Sequence, residues 1–289
     1  MVSKNPLRYP GAKSKLYHYI EKLLVMENKL GCTFYEPFAG SASLSIMLLE
    51  NGIIEHAVIN EKDPLLYYFW FSVFNYTDDL IRLINNTEIS ITNWHKFAKY
   101  KNNDYIKDKN PVEIGYAGLF LNRTNFSGIL KANPLGGLNQ LSEYKINCRF
   151  NKDSIINSIR QISLLKSHME VYNLDAIDFM NLKLKYKRNK STFVYIDPPY
   201  YKEGPNLYRF SYNHSEHVRL AKFIKSKVFP WLISYDDTNE IREMYNKSTY
   251  INIYLDYSVK TSRKGKELLI SNLEIPPISM ENSIFDEFA

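Results

Sequence analysis

Apolar positions repeat along the chain with two different periods, and the switches between them predict the elements. Leu16, Ile20, Leu23 and Leu24 recur at helical spacing, so 16–26 is expected as a helix behind the basic, turn-rich segment Pro6-Leu7-Arg8-Tyr9-Pro10-Gly11-Ala12-Lys13. Residues 33–35 read as a short buried strand, 36–41 as a turn, 42–50 as a helix and 57–61 as a second strand ending in an acid. That order opens a parallel α/β sheet. After Pro64 the pattern turns aromatic and helical, and 119–150 is rich in Gly and Asn. Strand signals resume at 170–173, 192–196 and 231–234, with a late pair at 250–255 and 267–271. The expected organisation is one doubly wound α/β domain, 1–65 and 156–289, interrupted by an inserted module, 66–155.

Composition narrows the class. With 45% hydrophobic and 24% charged residues, the chain is a globular protein with a sizeable core, neither disordered nor fibrous. Its apolar runs, such as 44–49 and 228–233, are far shorter than a membrane span, and residues 1–9 lack the apolar stretch of a signal peptide; a cytoplasmic protein with no membrane role is expected. Cys32 and Cys148 stand far apart with no cluster around them, so neither a disulfide framework nor a metal is expected. The formal charge of +6 leans toward an anionic partner. Basic residues crowd 183–190 and 260–266 while 281–287 is acidic; each run reads first as a solvated face and second as a phosphate track. The 23 tyrosines suit base stacking as well as a core.

The sharpest chemical signal is Asp197-Pro198-Pro199-Tyr200, directly after the apolar strand 193–196 and so at the carboxyl end of a sheet strand, where open α/β sheets bind ligands. The prolines stiffen the turn and leave the Pro198 carbonyl free to accept. An aromatic exocyclic amine is a poor nucleophile because its lone pair is delocalised. A carboxylate and a carbonyl that accept its two N–H bonds favour the pyramidal, reactive form, and an adjacent Tyr can stack on the base. Taken alone, the motif is equally a rigid turn after a buried strand. A second element, Tyr35-Glu36-Pro37-Phe38-Ala39-Gly40-Ser41-Ala42-Ser43, is a strand-to-helix turn of small residues that lets backbone approach a ligand. It lacks both the dinucleotide glycine fingerprint and a phosphate-binding Lys-Ser pair, which points to a ligand with a ribose and a positive charge. Glu61 ends the next strand near the spacing at which an acid binds ribose hydroxyls.

With these motifs in this order, nearly the whole chain resembles the DNA adenine methylase family, the alpha-class N6-adenine DNA methyltransferases. The resemblance implies a Rossmann-like methyltransferase sheet, mostly parallel with a late antiparallel strand, carrying an inserted α-helical plus β-hairpin DNA-recognition module. It implies S-adenosylmethionine as methyl donor. Tyr9 and Lys13 match the N-terminal motif of the donor site; Glu36, Pro37, Phe38, Gly40 and Ser41 match the donor loop; Glu61 matches the ribose acid; and Asp175-Ala176 matches the motif flanking the donor's adenine. Asp197, Pro198, Pro199 and Tyr200 match the catalytic motif, with Asp197 also near the donor's methionine end. The chain departs from the family in having Tyr9 where Trp is common, Ala42 where Gly is common and Glu61 where Asp is commoner.

Residues 121–131 resemble the family's β-hairpin that enters the duplex. Phe126 falls at the wedge position, Ser127 at an orphan-base or backbone contact and Lys131 at a base-edge contact, with Arg123 and Asn125 as further DNA-facing donors. The other reading is a polar hairpin with Arg123 buried against its own module. Arg149, in Cys148-Arg149-Phe150-Asn151-Lys152, is either a DNA-backbone clamp or part of a helix lead-in. His214 and His217, about one turn apart, read as surface or packing histidines without a third metal ligand. The implied partner is double-stranded DNA. A restriction endonuclease acting on the same site without physical association, and a monomer or weak dimer, complete the expectation. Competing readings are an amino methyltransferase acting on RNA or protein glutamine, which usually has Asn in place of Asp197, and a non-catalytic DNA-binding protein, which would have lost Asp197 or Lys13.

Overall fold

A computed structural model describes residues 5–8, 13–184, 191–258 and 262–275. Seven strands, β1 (Thr33–Glu36), β2 (His56–Asn60), β3 (Met169–Tyr172), β4 (Thr192–Ile196), β5 (Trp231–Asp236), β6 (Thr249–Ser258) and β7 (Ser262–Ser271), form one sheet in the order β3-β2-β1-β4-β5-β7-β6. Strands β1 to β5 pair in parallel, and β7 runs antiparallel to both β5 and β6. The sheet is therefore mostly parallel with a late antiparallel strand. The last pair runs longer than the sequence pattern, because pairing continues out to Ser258 and Ser262 through a polar stretch that carries no apolar alternation.

Eleven α-helices accompany the sheet among the described residues: α1 (Tyr17–Met26), α2 (Ser43–Glu50), α3 (Pro64–Asn75), α4 (Thr77–Asn86), α5 (Ile91–Ala98), α6 (Pro111–Thr124), α7 (Lys152–Ser163), α8 (Ala176–Leu184), α9 (Gly204–Leu207), α10 (His214–Lys225) and α11 (Asn239–Met244). Their starts are encoded locally. Asp63 and Asn110 accept from the N–H groups of Leu65 (3.0 Å) and Val112 (2.8 Å), each with a proline in the first turn, where its missing N–H costs nothing. Asn213 and Glu216 form a reciprocal capping box for α10.

Alternation along the strands divides the core between two faces. Phe34, Phe193, Tyr195 and Leu232 pack with α1 to α7, whereas Tyr35, Val194, Ile196 and Ile233 pack with α8, α10 and α11. The helices between β2 and β3 share one apolar cluster with the sheet, and the expected boundaries at 65/66 and 155/156 fall inside α3 and α7. The hairpin expected at 121–131 takes another form. Its first residues complete α6, Phe126–Gly128 is a single 3-10 turn, and one isolated bridge, Asn125 to Pro134, stands where strand pairing was expected. The cause lies in the apolar run ahead of it: Leu119, Phe120 and Leu121 are fully buried, which carries the helix on to Thr124 before Ser127 and Gly128, both at positive φ, turn the chain.

Helices α3 and α6 approach so closely that two glycines touch backbone. A Cβ on Gly115 would lie 2.4 Å from the Tyr68 carbonyl oxygen, and one on Gly118 would lie 2.3 Å from that of Leu65. Although Ala is the better helix former by about 1 kcal/mol, Gly118→Ala is expected to destabilise the protein by about 1–3 kcal/mol through overpacking. Urea unfolding should show a lowered midpoint; an unchanged or raised midpoint would contradict the close approach.

Candidate active site

Strand β1 lies between β2 and β4, so the chain reaches the far side of the sheet after leaving β3, and a crevice opens at the carboxyl ends of β1 and β4. Three polar residues at strand ends shape it. Asn60, fully buried at the end of β2, donates to the carbonyls of Pro37 (3.0 Å) and Leu174 (3.1 Å) and accepts from the Leu174 N–H (2.9 Å), which stitches together the loops after β1 and β3. Glu61 accepts from the N–H groups of Gly40 and Asp63, both at 2.9 Å, and burial pushes its carboxyl up to about 7. Glu36, at the end of β1, accepts from the Ser45 hydroxyl, and burial pushes it up to about 8. Gly40 and Ala42 take positive φ, which folds the loop between these acids tightly enough for Trp70 to donate to the Gly40 carbonyl at 2.9 Å.

Directly after β4, Asp197 Oδ1 accepts from Ser234 at 2.7 Å and lies 3.3 Å from Lys13 Nζ. Lys13 also donates to the Tyr200 hydroxyl (2.6 Å) and to Glu267 Oε1 (3.1 Å), and Tyr200 donates to the same Glu267 oxygen at 2.5 Å. Burial alone would lower the Lys13 ammonium, but Asp197 and Glu267 outweigh it and hold the group above its ordinary value. Burial raises the carboxyls of Asp197 and Glu267; Lys13 opposes this at both, and each stays above its ordinary value. Asp197 Oδ2 accepts no hydrogen bond among the described residues.

Lys13, Glu36, Phe38, Ser41, Glu61 and Asp197 line one cleft of about 960 Å³, open solvent at its mouth included. Pro199 lines it too, while Pro198 follows Asp197 in the same turn. Pro37 and Gly40 frame the loop without lining the cleft. Tyr200 is buried and also stands back from the cleft, its hydroxyl committed to Lys13 and Glu267. Asp175 caps α8 through the Ile177 N–H (3.1 Å) and pairs with Lys62 (3.0 Å); neither it nor the buried Ala176 lines the cleft. Tyr9 lies outside the described residues.

The expected DNA-facing residues divide. Phe126, Lys131 and Arg149 are exposed, and Lys131 donates to the Pro205 carbonyl beyond the catalytic motif. Ser127 and Arg123 are half-buried, and burial, with Arg8 nearby, lowers the Arg123 guanidinium to about 10. Asn125 requires a correction: it is fully buried, accepts from Trp94 (2.7 Å) and donates to the carbonyls of Ile129 (3.0 Å) and Leu130 (2.9 Å), so its amide holds the turn and faces no duplex. His217 is buried against the Tyr235 hydroxyl (2.9 Å) and pushed down to about 4 by burial, whereas His214 contacts the Tyr201 hydroxyl at 2.9 Å.

Residues 9–259 match the D12 class N6 adenine-specific DNA methyltransferase family. The chain belongs to that family. It is 27% identical over 259 residues to the type II methyltransferase M.CviBI of Paramecium bursaria Chlorella virus NC1A, covering 84% of this chain and 88% of the relative. Among solved structures it is similar to a protein of Pyrococcus horikoshii named as a candidate RNA methyltransferase (TM-score 0.42, 9% identity, 93% of this chain and 86% of the other). It is also similar to the rRNA methyltransferase AviRa of Streptomyces viridochromogenes (0.37, 12%, 91% and 86%). As a D12 class enzyme, the protein methylates adenine N6 in DNA.

Sequence motifs missed Asn60, Ser234 and Glu267, and the signal they share is a polar residue inside or ending an apolar strand. They also missed Arg209, whose guanidinium pairs with Asp63 and donates to the Lys101 carbonyl at 2.7 Å. Ser234 has a specific consequence. Its hydroxyl stabilises the ionised Asp197, so Ser234→Ala should raise the Asp197 carboxyl further. Activity that depends on the carboxylate as acceptor is lost as pH falls through that value, so the acid limb of kcat/KM against pH should move to higher pH in the variant. An unmoved limb would show that the hydroxyl does not control Asp197.

Proposed function

We propose that the cleft holds S-adenosylmethionine, and that adenine, extruded from a short recognised sequence in duplex DNA, meets Asp197-Pro198-Pro199-Tyr200 at its edge. The observation that carries this reading is the state of Asp197. One carboxylate oxygen is held by Ser234 and Lys13 at the carboxyl end of β4, and the other has no hydrogen bond among the described residues.

The cleft also suits a cationic nucleoside. Arg209 is paired with Asp63 and Lys62 with Asp175, which leaves Glu36 and Glu61 lining the cleft without a cationic partner among the described residues, beside the Lys13–Asp197 pair. Phe38, Leu44 and Leu66 supply apolar wall for a base, and Glu61 stands beside the loop after β1 for ribose hydroxyls. Bound there, S-adenosylmethionine supplies a methyl group on a sulfonium centre. Asp197 Oδ2 and the Pro198 carbonyl accept the two N6–H bonds, which concentrates the nitrogen lone pair away from the ring, and the carboxylate is the nearest acceptor for the proton that N6 gives up. Tyr200 stands behind the cleft wall, where its hydroxyl, held between Lys13 and Glu267, anchors the turn that carries Asp197.

On the DNA side, the exposed Phe126 and Lys131, with Ser127, Arg123 and Arg149, form the recognition face of the helical insertion 66–155. An aromatic wedge offsets the few kcal/mol lost when a base leaves the stack. M.CviBI is named a type II methyltransferase, which supports placing this enzyme beside a restriction endonuclease that reads the same site without binding it. We place it in the cytoplasm as a monomer or weak dimer; among the described residues no helix is long and apolar enough to cross a membrane.

Label from methyl-tritiated S-adenosylmethionine should enter duplex DNA as N6-methyladenine. Asp197→Ala should cut the rate by about a hundredfold or more with a native circular-dichroism spectrum, at a lowered thermal midpoint because Lys13 loses a partner. Label appearing only in RNA or protein, or an active Asp197→Ala enzyme, would overturn the assignment.

A further inference from the structure

Glu267 belongs to the site although no motif marked it. It sits on β7, is 1% exposed, and contacts Lys13 and Tyr200 without lining the cleft. Lys13 donates to Tyr200 and Glu267 and pairs with Asp197 at 3.3 Å, so these three partners fix its position and charge at the cleft wall. Lys13 opposes the effect of burial on both acids, and with both ionised, two carboxylates around one ammonium leave the buried cluster one unit negative. Tyr195 and Tyr208 also face Lys13, but burial pushes both phenols up, so they stay neutral and leave that balance unchanged. Glu36, the other acid near Asp197, is held by the neutral Ser45 hydroxyl rather than by a cation. A buried net charge is costly unless a partner of opposite sign arrives.

We propose that Glu267 is a positioning residue that makes the donor site charge-selective: placed against Lys13, it keeps the Lys13-Asp197-Glu267 cluster one charge negative, so the cleft favours a sulfonium ligand over a neutral thioether of the same shape. The inference rests on reading the cleft as the donor site. Its consequence is exchange: S-adenosylmethionine carries the sulfonium, S-adenosylhomocysteine does not, and the site holds fresh donor more firmly than spent product.

Calorimetric Kd values for both ligands on the full chain test this, with Glu267→Gln and Glu267→Ala as two neutral variants of different shape and Glu267→Asp as a charge-keeping one. The neutral variants should weaken S-adenosylmethionine about fivefold to tenfold, the size of a partly screened charge term, and S-adenosylhomocysteine by less than about twofold; Glu267→Asp should keep the wild-type ratio. Equal weakening of the two ligands in the neutral variants, or an unchanged ratio, overturns the proposal alone. Wild-type protein that binds neither ligand overturns the donor reading and the proposal with it.

Discussion

The buried ammonium of Lys13 is the interaction on which the site depends. It reaches Asp197 after β4, Tyr200 in the turn beyond and Glu267 on β7, three segments that the chain brings together only through the sheet. Removing one partner from a buried ion pair typically costs about 3–5 kcal/mol, because the charge left behind has nowhere to go. The antiparallel insertion of β7 between β5 and β6 thus has a chemical result: it brings a carboxylate from late in the chain to a lysine near its start, 254 positions apart.

The same logic ties the turn after α6 to the N-terminal segment. Asn122, fully buried near the end of α6, accepts from the Arg8 N–H at 2.7 Å and donates to the carbonyls of Arg8 (2.6 Å) and Gly128 (3.0 Å). The Arg8 backbone is thereby clamped to the turn that carries Phe126 and Ser127. Arg209 makes a second tie, joining the loop after α9 to Asp63 at the head of α3 and to Lys101. Buried amides and ion pairs of this kind make a loop position part of the core, so the helices between β2 and β3 and the cleft are held in one register.

The sheet was legible in the sequence because its strands are short apolar runs closed by turn signals: Thr192–Ile196 matches the expected strand, and β1, β2, β3 and β5 fall within two residues of theirs. The cleft was legible where function demands unusual residues in unusual places, such as Asp197-Pro198-Pro199 after a buried strand. Two features escaped for physical reasons. A polar run over 121–131 looks the same whether it turns back as strands or ends a helix, and tertiary burial of Leu119 to Leu121 decided for the helix. Glu267 and Ser234 are single polar residues in strands, and only the sheet order shows that they face Asp197's neighbourhood rather than solvent.

The proposed role of Asp197 as acceptor for the N6 amine ties the family's adenine methylation to this one carboxylate. Modified-base sequencing of DNA from a host that expresses the protein tests this most directly. The account predicts N6-methyladenine at one short recurring sequence, absent when the host carries Asp197→Ala; DNA without that mark, or with the mark on cytosine, would contradict it.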